Sequence, residues 1–312
     1  MNLVFAGTPR FAVPTLERLV DAGFRVSLVL TQPDKPRGRG MAITSSPVKQ
    51  AAESLRIPVT QPEKIKTNDE LRQQLAALGP DAIIVVGYGR IIPQWMLDLP
   101  RFGNLNLHAS LLPKYRGAAP IQWAIAQGET VTGVTTMRIN AGLDTGDILL
   151  QREMAIAPDD TTETLAPRLS EIGANLMVET LRGLAAETIT ARPQEDSLAT
   201  LAPILKKEDG AIDFRRTAGE IVNRLRGFQP WPGAFTTFHG KALTVKAARA
   251  GGAIGEALPA GSLVCDAGRL VVQCGGDTSL EILELQLEGK KRMAASDFIH
   301  GYRPKSGERL GE

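Results

Sequence analysis

The feature of this sequence that most restricts its fold is an alternation, through the first half, of short apolar runs with longer amphipathic stretches. The runs at 3–6, 26–30 and 82–86 have the length and composition of buried strands. Between them apolar residues recur at helical spacing, as in 68–78, where Asn68 is suited to cap the helix. This alternation predicts an α/β fold, a doubly wound and mostly parallel sheet with helices on both faces.

The pattern changes in the second half of the chain. The segments 133–139 and 146–156 are strand-like with no helix between them, which predicts an antiparallel addition at the sheet edge. Farther on, short strands at regular spacing with Gly-rich breaks predict a small β-barrel or sandwich. We therefore expect an α/β domain at 1–187, a polar linker at 188–207 and a β domain at 208–312.

Charge and hydropathy exclude some classes of protein. The 312 residues include 36 Lys and Arg against 34 Asp and Glu, so any polyanion site has to be local. No apolar run reaches the roughly 18 residues of a membrane span. The first residues are expected to form a strand rather than a signal peptide, which predicts a cytoplasmic protein that does not enter a membrane.

The residues that usually hold metals and cofactors are sparse. Two cysteines and three histidines, without metal-ligand spacing, argue against a zinc enzyme and against a disulfide framework. The sequence contains neither G-x-G-x-x-G nor a Walker A motif, so nicotinamide and NTP-dependent activities lose their main support. We expect no metal.

One segment places an amide and an imidazole side by side at an expected ligand-binding edge. In NLNLH, Asn106 and His108 are two residues apart and therefore lie on one face of a strand. The run ends in SLLP, near the carboxyl end of a parallel strand, where open α/β sheets bind ligands. Two adjacent donors suit the oxyanion of a tetrahedral intermediate. From spacing alone, a turn-capping asparagine and a structural histidine are favoured over a catalytic pair.

A carboxylate follows in the turn GLDTGD between the two late strands. Asp144 is a candidate to orient His108 and to favour its protonated form. Asp147 is a rival in the same turn, and a turn aspartate often bonds only its own backbone. A serine hydrolase is disfavoured, because Ser110 is too near His108 in sequence and no G-x-S-x-G elbow is present.

A separate segment is locally basic. Lys35, Arg37 and Arg39 lie in a Pro- and Gly-rich stretch, which predicts a long exposed loop. Such a group of cations suits phosphate contacts, whereas composition alone also allows a merely solvated loop.

At this point the sequence resembles a known family, the methionyl-tRNA formyltransferases. The similar stretches are FAGTPRFAVPTL, TQPDKPRGRG, VVGYGRIIP, NLHASLLPKYRGAAPIQWAI, GVTTMRINAGLDTGDIL, RGFQPWPGAF and GKKRMAASDFI. The core, Asn-x-His-x-Ser-Leu-Leu-Pro with a later Leu-Asp-Thr-Gly-Asp, is shared by the wider group of folate-dependent formyltransferases. The basic loop and the WPG-bearing second half favour the tRNA-specific members.

The resemblance implies a set of site residues and a domain plan. It implies a Rossmann-like catalytic domain with an OB-like barrel that grips tRNA, and Asn106, His108 and Asp144 as the catalytic trio. It implies folate contacts from Ser110, Leu111, Leu112 and Pro113, and from backbone groups of Val86, Gly87, Tyr88, Gly89, Arg90 and Ile91. It implies that Lys35, Arg37 and Arg39 meet the acceptor end of the tRNA, although the family usually has a small residue where Arg37 stands.

The activity implied is transfer of a formyl group from 10-formyltetrahydrofolate to the α-amine of methionyl initiator tRNA, for translation initiation, by a monomer. Two other functions stay open. The same trio could formylate a small amine, such as a sugar nucleotide, without the basic loop or the barrel. A tRNA-binding module with an inactive core is disfavoured by the intact trio.

Overall fold

The computed structural model describes residues 1–37, 42–255, 258–266 and 268–312. These residues form two compact units that interleave along the chain. The first comprises Met1–Pro120, Val131–Ala155 and Ala166–Pro203, and the second Ile121–Thr130, Ile156–Leu165 and Ile204–Glu312. Among the helices described, none combines the length and apolar character needed to cross a membrane.

The helices and strands of the first two-thirds of the chain follow the predicted alternation. The strands are β1 (Asn2–Gly7), β2 (Arg25–Leu30), β3 (Lys35–Arg37), β4 (Ala42–Thr44), β5 (Val59–Thr60), β6 (Ala82–Val86), β7 (Asn104–His108), β8 (Val131–Arg138) and β9 (Ile148–Ala155). The helices are α1 (Val13–Asp21), α2 (Pro47–Ser54), α3 (Asp69–Leu78), α4 (Gln94–Leu97), α5 (Pro120–Ala126) and α6 (Thr162–Ala185). Asn68 caps α3 as predicted, since its side chain accepts a bond from the Leu71 amide at 2.9 Å.

The first unit is built on a seven-stranded sheet in the order β5-β2-β1-β6-β7-β8-β9. The pairings among β5, β2, β1, β6 and β7 are parallel, whereas β7–β8 and β8–β9 are antiparallel. From β1 the chain builds outward on one side and then returns to β6 on the other. That reversal is the point at which such sheets bind ligands, at the carboxyl ends of the strands. The predicted doubly wound sheet with an antiparallel edge is confirmed.

The second unit is built on antiparallel strands. They are β10 (Ala234–Phe238), β11 (Lys241–Gly251), β12 (Leu263–Asp266), β13 (Arg269–Cys274), β14 (Thr278–Leu287) and β15 (Met293–Ala294), with helices α7 (Ala218–Gly227) and α8 (Ala295–Tyr302). The strand path is β10-β11-β14-β13-β12, and β15 pairs with β14. Phe298 of α8 is fully buried and meets Phe238 edge-on, with ring centroids 5.1 Å apart. The predicted second, β-rich domain is confirmed.

The units are not consecutive along the chain, whereas the sequence predicted a single boundary at 188–207. The segment that contains α5 belongs to the second unit, where Trp123 meets Phe228 edge-on at 5.3 Å. The Thr162 hydroxyl, at the start of α6, donates to the Gly227 carbonyl at 2.6 Å. Helical periodicity does not reveal which unit buries a helix, and so these two excursions were missed.

Gly227, at the end of α7, lies against the backbone of α5. A Cβ at this position would lie 2.6 Å from the Gln122 carbonyl oxygen and 2.9 Å from the Ala126 nitrogen, both of which are backbone atoms. We expect Gly227→Ala to lower the free energy of unfolding by about 1–3 kcal/mol, because backbone cannot yield to the added methyl group.

The measurement is urea unfolding followed by circular dichroism. Gly219→Ala, on the same helix with nothing within 4 Å of the added Cβ, is the matched control and should be neutral or stabilising by up to about 1 kcal/mol. Equal behaviour of the two variants would contradict the close packing at Gly227.

Candidate active site

Asn106 and His108 lie near the carboxyl end of β7, on the face opposite Leu105 and Leu107. The two leucines are buried, His108 is 6% exposed and Asn106 is half-buried. In the sheet, Asn106 pairs with Val85 of β6 on one side and with Met137 of β8 on the other. The strand therefore delivers both polar side chains to the same face, as the alternation of the sequence predicts.

The two side chains differ in their hydrogen bonds. The Nε2 atom of His108 lies 2.8 Å from the Tyr115 carbonyl oxygen. A carbonyl only accepts, so Nε2 carries a hydrogen and Nδ1 is the nitrogen that faces the site. Within the described residues the Asn106 amide forms no hydrogen bond with another protein group, which leaves its donors available to a ligand.

Asp144 lies next to this imidazole. Its Oδ2 atom is 3.7 Å from His108 Nδ1, close enough for an ion pair but too long for a hydrogen bond. The same oxygen accepts a bond of 2.8 Å from the Gly117 amide. Asp144 has a φ of 51°, in the left-handed region that aspartate enters more readily than most residues. In the doubly protonated imidazole, the hydrogen on Nδ1 is therefore not bonded to the Asp144 carboxylate and can be donated to another group.

Asp147, the rival carboxylate, is placed differently. Its backbone carbonyl accepts a bond from the Arg138 amide at 2.9 Å, which closes the base of the turn. The structure brings Asp144 rather than Asp147 to the imidazole.

The turn that follows β7 is held by hydrogen bonds from the neighbouring strand β8. The Thr135 hydroxyl donates to the Ser110 carbonyl at 2.7 Å and accepts from the Leu112 amide at 3.1 Å. Gln151 donates to the same hydroxyl and to the Leu112 carbonyl. The Ser110 side chain is fully buried and donates to the Lys114 carbonyl at 2.6 Å. The hydroxyl and the carbonyl of Ser110, a predicted folate contact, are therefore both bonded within the protein.

The other predicted folate segment, 86–91, follows β6 and lies beside this turn, because β6 and β7 are parallel neighbours. Val86 and Tyr88 are buried, and burial raises the pKa of the Tyr88 phenol to about 12. Gly87 and Gly89 are exposed with positive φ, and Ile91 is 93% exposed. The segment thus presents backbone, the half-buried side chain of Arg90 and the exposed apolar side chain of Ile91.

The basic segment begins as a hairpin in which β3 pairs with β4. The sequence predicted only a loop. Its start is anchored, since Asp34 Oδ2 lies 2.6 Å from Lys49 Nζ and Oδ1 accepts from Gln61 Nε2 at 2.7 Å. These bonds, that from Lys49 above all, lower the pKa of Asp34. Lys35 and Arg37 are on β3, and the predicted contact Arg39 falls outside the described residues.

Several groups around the site carried no sequence signal. The Tyr115 carbonyl and the Gly117 amide are backbone atoms, which any residue would supply. Gln194, which contacts the Asp144 loop, lies in the stretch that the sequence assigned to a linker. Among the residues described, no group of three or more His, Cys, Asp or Glu side chains could hold a metal ion.

Comparison with known proteins defines the class of this molecule. A family model described as "Formyl transferase" matches residues 1–181, and one described as "Formyl transferase, C-terminal domain" matches residues 204–303. The site on β7 lies within the first match and the antiparallel unit mostly within the second. The chain is a two-domain formyltransferase.

Relatives in sequence define the family more narrowly. A methionyl-tRNA formyltransferase from Koribacter versatilis is 66% identical over 311 residues, which is 100% of this chain and 99% of the relative. One from Acidobacterium capsulatum is 62% identical over 311 residues, 100% of each chain. The chain belongs to the methionyl-tRNA formyltransferase family.

Solved structures show the same fold at lower identity. An N-formyltransferase from Helicobacter canadensis, in complex with folinic acid and dTDP-3-aminofucose, matches with a TM-score of 0.65 and 18% identity, over 90% of this chain and 98% of that one. A phosphoribosylglycinamide formyltransferase from Bacillus halodurans matches with a TM-score of 0.51 and 25% identity, over 60% and 96%.

Thr135 should be needed to hold the turn after β7. In Thr135→Val the shape is kept, but the buried Ser110 carbonyl and Leu112 amide lose their partner. We expect a loss of about 1–3 kcal/mol in the free energy of unfolding for each group left unpaired, measured by urea titration. Thr132→Val, on the same strand and also buried, is the control, because its hydroxyl bonds no other described residue. A loss of the same size in both variants would contradict this role.

Proposed function

We propose that this protein transfers the formyl group of 10-formyltetrahydrofolate to the α-amino group of methionyl initiator tRNA. The observation that carries the proposal is the environment of His108. Its Nε2 is engaged by the Tyr115 carbonyl, while its Nδ1 faces Asp144 at 3.7 Å beside the free amide of Asn106. The relatives at 62–66% identity support the choice of substrate.

Asn106 and His108 are the donors to the reacting oxygen in this proposal. When the neutral amine attacks the formyl carbon, negative charge develops on the formyl oxygen. The Asn106 amide and the Nδ1–H of a protonated His108 then donate to that oxygen. A preorganised donor of this kind is typically worth about 2.7–4 kcal/mol of barrier.

Asp144 has two tasks in the proposal. Its carboxylate balances the charge of the protonated imidazole across the 3.7 Å gap. It also receives, through a water molecule, the proton that the attacking amine loses. That proton then passes to the folate nitrogen as the bond between this nitrogen and the formyl carbon breaks, so that tetrahydrofolate leaves and the formyl amide remains. The hydrogen bond from the Gly117 amide keeps Oδ2 of Asp144 directed toward His108, and Oδ1 is left to receive the proton.

The folate donor is proposed to lie at the carboxyl edge of β6 and β7. The exposed Gly87 and Gly89 allow a flat ring to approach the backbone, since glycine carries no Cβ to keep it away. The exposed apolar side chain of Ile91 offers it a contact. The shared Asn-x-His-x-Ser-Leu-Leu-Pro motif supports a folate donor, and the 110–113 turn supplies the opposite wall.

Contacts with tRNA are proposed at two places, each described by itself. The segment with Lys35 and Arg37 on β3, and with Arg39 outside the described residues, meets the acceptor end. In the second unit, the exposed Lys290 and Lys291 between β14 and β15 meet backbone phosphates.

The direct test is a formylation assay with purified protein, 10-formyltetrahydrofolate and two acceptors, methionyl initiator tRNA and methionyl elongator tRNA. We expect formyl-methionine on the initiator alone. Formylation of neither tRNA, with the folate still bound, would overturn the proposal and favour a small amine as the acceptor.

Asp144→Asn should separate chemistry from binding. The amide oxygen can still accept from Gly117, but the negative charge beside His108 is gone. We expect kcat to fall by about 10²- to 10³-fold while the dissociation constant of the folate changes little, measured by steady-state kinetics and by titration of the folate. Asp147→Asn is the matched control and should keep most of the activity. Equal losses in the two variants would mean that charge at the imidazole is not what matters.

A further inference from the structure

The loop that carries Asp144 starts far from the imidazole it serves. Because β8 is antiparallel to β7, its last residue, Arg138, pairs with Leu105, three residues before His108. At about 3.4 Å per strand residue, that is roughly 10 Å from the imidazole. The loop has to fold back over the polar face of β7 to bring Asp144 to His108, and something has to hold it there.

Gln194 contacts that loop at two backbone positions. Its side-chain Nε2 donates to the Asp144 carbonyl at 2.8 Å and to the Gly146 carbonyl at 2.7 Å. The two hydrogens of this amide nitrogen are thus donated to two carbonyls of the same turn. Among the described residues, no other hydrogen bond is made to the Asp144 carbonyl.

Arg116 fixes the orientation of this amide. Its Nε and Nη2 atoms donate to Gln194 Oε1 at 3.1 and 2.9 Å, so the oxygen end of the amide faces the guanidinium and the nitrogen end faces the loop. Arg116 is buried, and its Nη2 also donates to Asp196 at 2.8 Å. The guanidinium therefore has its own anchor and holds the glutamine side chain in one conformation.

The backbone around Gln194 is fastened at both ends. Arg192 exchanges two backbone bonds with Ile148, at 2.8 and 2.9 Å, just after the Asp144 loop. Thr200 and Ala202 bond the backbone of Arg116 at 2.8 and 2.7 Å, in the loop that supplies the Tyr115 carbonyl and the Gly117 amide. We call residues 192–202 the strap. It joins the loop that holds His108 to the loop that holds Asp144.

We propose that Gln194 is a positioning residue for formyl transfer, which keeps the Asp144 carboxylate at the imidazole by holding the carbonyls of its loop. Arg116 acts behind it by orienting the amide. The proposal rests on the function proposed above, because it matters only if Asp144 acts beside His108.

Gln194→Glu is the test variant. It preserves length and shape, but a carboxylate has no hydrogen to donate and turns a repelling oxygen toward the two carbonyls. We expect kcat for formylation of methionyl initiator tRNA to fall roughly 10- to 100-fold, because the Asp144 carboxylate is no longer held at the imidazole. The KM values for the folate and the tRNA should stay within about twofold, since the strap touches neither proposed binding surface.

Glu195→Gln is the matched control, as an exposed change of one atom in the adjacent residue. It should leave both constants unchanged. Kinetics are measured at a temperature at which circular dichroism shows every variant folded, so that lost protein is not counted as lost turnover. Unchanged kcat in Gln194→Glu, or a loss equal to that of Glu195→Gln, would overturn the proposal.

Hydrogen exchange measured by mass spectrometry supplies a readout independent of formyl transfer. In Gln194→Glu, amides of 139–147 should exchange at least about tenfold faster, while those of β1 and β6 keep their protection. If the loop exchanges as in the parent protein, the inference fails even though the parent formylates tRNA. If the loop loosens but the parent does not formylate, the holding role stands and the proposed function is what fails.

Discussion

The position of β7 between β6 and β8 places the His108 imidazole, and the rest of the site depends on this constraint. β7 is buried on one face by its leucines and carries its polar groups on the other. Its parallel neighbour sets the edge at which the strands end, and its antiparallel neighbour determines where the next loop begins. The Tyr115 carbonyl then selects which nitrogen of His108 faces the site. The Asp144 loop therefore meets an imidazole whose orientation is fixed by its bond to the Tyr115 carbonyl.

These same residues show how much of the site can be predicted from the sequence. Period-two alternation in NLNLH is enough to place Asn106 and His108 on one face, and the apolar runs are enough to predict the parallel sheet and its ligand edge. Asp144 could be proposed but not separated from Asp147, because the choice depends on how a turn with a positive φ folds back. That conformation arises from contacts with Gly117 and Gln194, which are distant in sequence.

The differences between the predicted and the observed elements have a common physical origin. The 188–207 stretch is polar and lacks periodicity, so it was interpreted as a linker, yet its residues up to Pro203 belong to the first unit. Polar chain of this kind gains its order from backbone pairing and from side-chain amides that bond carbonyls. Those bonds leave no hydrophobic pattern for a sequence to display. The hairpin of β3 and β4 was interpreted as a loop for the same reason.

The interleaving of the two compact units also bears on how such a chain can evolve. The boundary between units is crossed five times along the sequence, at positions 120/121, 130/131, 155/156, 165/166 and 203/204. A terminal module appended to a catalytic domain can be exchanged by one recombination event at a linker. Here residues 121–130 and 156–165 would have to be inherited together with the C-terminal third. The antiparallel unit is therefore expected to diversify by point substitution in place, together with its own segments at 121–130 and 156–165, rather than by shuffling between proteins.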